Sequence, residues 1–91
     1  MSVARGTFLV KNKLGLHARA AAKLTQLASS FPCEVSAGNA EQLVNAKSVM
    51  GLLLLCGAKG TEISIEANGE RAEEAVRAIG ALIDERFGEE E

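Results

Sequence analysis

The tightest constraint on this chain is a change of hydrophobic period towards its C-terminal end. Ile63, Ile65 and Ala67 alternate with Glu62, Ser64 and Glu66, the two-residue period of a strand with one buried and one wet face. After Asn68-Gly69 the apolar residues Ala72, Ala75, Val76, Ile79, Leu82 and Ile83 recur at helical spacing, with Arg71, Glu73, Glu74, Arg77, Asp84 and Glu85 mostly opposite. A half-wet strand belongs to an antiparallel sheet, and an amphipathic helix that follows it has to cover the apolar face.

The rest of the chain supplies matching elements. Thr7 to Lys11 reads as a strand and Asn12-Lys13-Leu14-Gly15 as a loop. Ala20, Leu24, Leu27, Ala28 and Phe31 mark one face of a helix that starts at Ala18 and must stop before Pro32. Cys33, Val35 and Ala37 alternate into a Gly38-Asn39 turn and a second strand, Gln42 to Asn45. Ser48 caps a short helix reaching about Leu54, and Gly57-Ala58-Lys59-Gly60 returns the chain to extended structure. The predicted order is βαββαβα, an α+β open-faced two-layer sandwich with its helices on one face of an antiparallel sheet. With 91 residues there is room for one domain, read as 1–88, followed by an acidic tail, 89–91; the segment Gly88-Glu89-Glu90-Glu91 is expected to fray.

A net charge of −2 without any Lys/Arg cluster excludes nucleic acid and anionic membrane surfaces as partners, because both are bound through phosphate neutralisation. The longest uncharged apolar stretch, Ser48 to Ala58, is about half the length needed to span a bilayer. Met1-Ser2-Val3-Ala4-Arg5-Gly6 does not read as a secretory signal, so a cytoplasmic location is expected. Cys33 and Cys56 are too far apart for a redox pair and, with one histidine in the chain, cannot complete an ordinary zinc site; both read as core residues. No metal and no cofactor are expected.

Chemistry concentrates in Leu14-Gly15-Leu16-His17-Ala18-Arg19-Ala20-Ala21, which holds the single histidine. The start of a helix offers unpaired N–H groups, Ala18 and Arg19 among them, and the positive end of the macrodipole, both of which favour a phosphate. The Arg19 side chain can add a charge-assisted hydrogen bond. The same position favours the neutral, nucleophilic imidazole near neutral pH. With no second histidine to activate a serine or cysteine, hydrolase triads are excluded unless another subunit contributes. The residues alone leave open a plainer role, in which His17 packs at a helix start and Arg19 is solvated.

Gly15-Leu16-His17-Ala18-Arg19 followed by small residues resembles the active segment of HPr, the histidine-containing phosphocarrier family of the bacterial phosphoenolpyruvate-dependent phosphotransferase system. Asn45-Ala46-Lys47-Ser48-Val49-Met50-Gly51 resembles the regulatory-serine segment of that family, and Ala58-Lys59-Gly60-Thr61-Glu62-Ile63 its approach to the last strand. The resemblance implies a four-stranded antiparallel sheet with three helices on one face. It implies that enzyme I passes a phosphoryl group to Nδ1 of His17, which passes it to a histidine of an enzyme II A component or a regulator, in sugar transport or the nitrogen-related branch. It makes Ser48 the candidate target of an HPr kinase/phosphorylase. Ala20, Met50 and Leu53 become candidate docking residues on a monomer that has no turnover of its own. The family commonly has proline after the arginine, where this chain has Ala20. The competing expectation is a small α+β regulatory or ligand-binding domain without phosphoryl transfer.

Overall fold

The computed structural model describes residues 2–39, 41–55 and 57–91. The alternation around Ile63 becomes strand β4, and the chain as a whole runs β1 (Val3–Leu9), α1 (Ala18–Ser29), β2 (Glu34–Gly38), β3 (Leu43–Asn45), α2 (Val49–Leu54), β4 (Glu62–Asn68) and α3 (Ala72–Asp84). The four strands form one antiparallel sheet in the order β1-β4-β2-β3, and the helices cover one of its faces. Ile63, Ile65 and Ala67 are buried under the helices, while Arg5 and Glu66 pair at 3.3 Å on the wet side.

The core is assembled from the residues that set the periods. Leu24 of α1, Leu52 of α2, Ile63 and Ile65 of β4, and Ile79 and Ile83 of α3 are all fully buried or nearly so. Burial of each such side chain stabilises the fold by about 1.5–3 kcal/mol relative to exposure. Gly80 lets α3 lie close against β1, since a Cβ there would stand 2.2 Å from the Phe8 ring. Cys33 is buried as expected, and Cys56 lies outside the described residues. Among the described residues no helix is long and apolar enough to cross a membrane.

Two expectations are corrected. The first strand occupies Val3–Leu9 rather than Thr7 to Lys11, because its limits are decided by pairing with β4 from Val3↔Asn68 to Leu9↔Glu62. Val10 has left the sheet and bonds instead to Thr61 O and to the Gly60 N–H. The acidic tail, moreover, does not fray. Beyond α3, Arg86, Phe87 and Gly88 have φ values of 58°, 56° and 79°, a left-handed turn that reverses the chain. For the two residues with side chains this conformation costs about 1–2 kcal/mol each. Full burial of the Phe87 ring, and a 2.6 Å hydrogen bond from Lys23 Nζ to the Phe87 carbonyl, offset that strain. The Lys13 N–H then donates to the Glu91 carbonyl, tying the end of the chain to the loop before α1.

Candidate functional site

The loop between β1 and α1 is built around Asn12 and Gly15. Asn12 is fully buried, and its amide donates to the Gly15 carbonyl at 2.7 Å. Gly15 turns with φ +67°, and a Cβ on it would lie 2.3 Å from the Gly57 carbonyl oxygen, so both conformation and space demand glycine. The Leu16 N–H reaches that same carbonyl at 2.7 Å. The loop is thereby held on two sides when it delivers His17.

His17 is the N-cap residue of α1, with extended backbone. Its carbonyl accepts from the Ala21 N–H at 2.8 Å, whereas its side chain makes no capping bond. The imidazole is therefore free for other work. The N–H groups of Ala18, Arg19 and Ala20 belong to the first turn, where no intrahelical acceptor exists. Arg19 is exposed, has no carboxylate within ion-pair distance among the described residues, and lines a shallow cleft with Lys13, Leu14 and the carboxylates of Glu89 to Glu91.

The ring of His17 meets the reversed tail. Its Nε2 hydrogen-bonds to Glu89 Oε2, while Glu89 Oε1 accepts from the Asn12 amide at 2.9 Å. The side chain of His17 is 27% exposed and that of Glu89 15%. Chiefly through the Asn12 amide, then through the His17 ring and the charge of Lys23, the Glu89 carboxyl is held below the usual carboxylate range despite its partial burial. A lowered carboxyl contributes stability that is present above its unfolded value, near 4.5, and is lost as pH falls through the folded value. Glu89→Gln should therefore unfold about 1 kcal/mol more easily than wild type near neutral pH, with the difference vanishing in acid. Denaturant titrations of both proteins across that range would show it, and a constant difference would refute it.

The other expected site residues divide. Ser48 is the N-cap of α2, its hydroxyl oxygen accepting from the Gly51 N–H at 3.1 Å. Met50 is 73% exposed. Ala20 cannot be a docking residue: its side chain is fully buried, because the helix turns that position into the core. It lies in the first turn, where a proline in its place would forfeit no helical hydrogen bond. Leu53 is partly buried and packs on the core, and the exposed leucine of α2 is its neighbour Leu54. Sequence reasoning missed Asn12 and Glu89. An asparagine in a polar loop carries no local sign of burial, and a terminal run of glutamates no sign of a partner.

Comparison with known proteins agrees with the fold. The family model described as the PTS HPr component phosphorylation site matches residues 4–85. The phosphocarrier protein HPr of Neisseria meningitidis serogroup A is 52% identical over 80 residues, covering 88% of this chain and 90% of that protein. The phosphocarrier protein NPr of Shewanella violacea is 47% identical over 78 residues, covering 86% of each. Among solved structures, HPr-C-His from Thermoanaerobacter tengcongensis superimposes with a TM-score of 0.92 at 41% identity, covering 97% of this chain and 99% of that one. A match across almost the whole fold, with the histidine segment at the start of α1, means that this chain belongs to the HPr family of phosphocarriers of the phosphotransferase system.

Proposed function

We propose that the chain accepts a phosphoryl group on Nδ1 of His17 from phosphorylated enzyme I and passes it to a histidine of an enzyme II A component or a regulator. The observation that carries the reading is the state of the ring: Nε2 is engaged by Glu89, and Nδ1 has no hydrogen-bond partner among the described residues. The N–H groups of Ala18 and Arg19 and the Arg19 guanidinium, which has no carboxylate partner among the described residues, would stabilise the charge on the phosphoryl oxygens. Because donor, carrier and acceptor are all phosphohistidines, transfer is near balance, and catalysis consists of positioning and charge stabilisation. The chain acts as a monomeric cytoplasmic carrier without turnover of its own. Similarity to both HPr and NPr relatives is compatible with sugar transport and with the nitrogen-related branch.

Ser48 is the proposed target of an HPr kinase/phosphorylase. Phosphate there is tolerated by the start of α2, yet it adds about two negative charges beside the apolar surface of that helix. Met50 contributes to this surface. Since its side chain is largely in solvent, Met50→Asp should leave the melting temperature unchanged while raising the enzyme I concentration needed for half-maximal transfer about tenfold. Loss of stability would instead show a packing role.

The central test is intact-mass analysis after incubation with enzyme I, Mg²⁺ and phosphoenolpyruvate. An adduct that is lost in acid identifies phosphohistidine and supports the reading. No adduct with two independently active enzyme I preparations would overturn it.

A further inference from the structure

We propose that Glu89 is a positioning residue for phosphoryl transfer: it fixes the tautomer of the His17 ring, so that Nδ1 carries the lone pair, and it balances the charge that the ring acquires on phosphorylation. The proposal rests on the carrier reading above. It starts from the contact between Nε2 and Glu89 Oε2 across 72 residues of sequence. An ionised carboxylate only accepts hydrogen bonds, so Nε2 must be the donor and hold the ring proton. In the neutral ring the proton is then absent from Nδ1, which becomes the nucleophile.

The tail is built to hold this contact. Asn12, fully buried, fixes the other carboxylate oxygen at 2.9 Å, and without Glu89 one of its buried amide protons would lack an acceptor. The left-handed turn at Arg86, Phe87 and Gly88 is what aims the tail back at α1, and such strain persists only where the surrounding structure over-determines it. Lys13, Arg19 and Lys23 face Glu89 from the loop and from α1, while Glu90 and Glu91 adjoin it on the tail. The Asn12 amide above all, then the His17 ring and the charge of Lys23, keep the carboxylate ionised at neutral pH.

In the transfer step the Nδ1 lone pair attacks phosphorus on the donor's phosphohistidine, and the donor's N–P bond breaks with its electron pair returning to the donor nitrogen. Nε2 of His17 keeps its proton throughout. The His17 ring therefore passes from neutral to cationic as the donor ring passes from cationic to neutral. Glu89 stands against Nε2, where that positive charge develops, much as a buried carboxylate steadies the imidazolium of a hydrolase triad. When the phosphoryl group leaves for the acceptor the same steps run in reverse.

The test combines nitrogen-15 NMR of the His17 ring with single-turnover transfer from phosphorylated enzyme I, in wild type, Glu89→Gln, Glu89→Ala and Glu89→Asp, after thermal melts have verified folding. The wild-type neutral ring is expected to be protonated on Nε2, and Glu89→Ala to populate both tautomers. Glu89→Gln, which keeps an acceptor but removes the charge, should transfer about tenfold more slowly at an unchanged half-saturating enzyme I concentration, and Glu89→Asp should recover part of the rate. Wild-type transfer rates in both the Gln and Ala variants would overturn the proposal, as would a wild-type ring protonated on Nδ1. If wild type takes up no phosphate at all, the carrier reading falls, and the ring spectrum alone decides whether Glu89 sets the tautomer.

Discussion

His17→Ala is expected to abolish acid-labile phosphate uptake entirely while leaving the protein folded. The loss is complete because the chain has no other histidine, and no neighbouring group can replace a nitrogen nucleophile at the start of α1. The fold survives because His17 serves the helix through its backbone: the bond from the Ala21 N–H to the His17 carbonyl does not depend on the imidazole. The side chain is partly exposed and fills no part of the core, so the stability change should stay within about 1 kcal/mol, mostly from release of Glu89. Intact-mass analysis of the variant beside wild type, with circular dichroism on the same samples, checks both halves. An acid-labile adduct on the variant would move the carrier site elsewhere.

Phe87→Ala should have the largest effect on stability, about 3–5 kcal/mol, as for other large aromatic truncations in cores. Phe87 is fully buried, yet it follows the last helix and sits at φ 56°. Alanine would keep the conformational strain while losing the burial that offsets it. A domain of this size would lose at least about 10 °C of melting temperature. The tail should also detach, so that the His17 ring resonances in Phe87→Ala resemble those of Glu89→Ala. A loss below about 1 kcal/mol would show that the turn is not the anchor of the tail.

Much of this was legible in the sequence for a definite reason. The periods of β4 and α3, the stop of α1 before Pro32 and the cap at Ser48 are local properties, set by residues within one or two turns of each other. The histidine segment was legible through its resemblance to the HPr family, whereas the helix start alone allowed an anion site without requiring one. Docking residues were harder. Ala20, Met50 and Leu53 were all apolar candidates, but burial depends on which way each helix faces its neighbours, and only Met50 proved exposed.

By itself, then, the sequence determined the order and type of the elements, the apolar faces of β4 and α3, and the position of the single histidine, because these follow from spacing along the chain. Only the tertiary structure decided where β1 begins, since that depends on its pairing with β4, and what surrounds the imidazole. Asn12, Glu89 and His17 come from the two ends of the chain and meet because a left-handed turn, anchored by Phe87, sends the tail back across the start of α1. No local pattern encodes such a contact: its free energy comes from burying one ring and satisfying one amide, and both partners exist only once the sheet and its helices are in place.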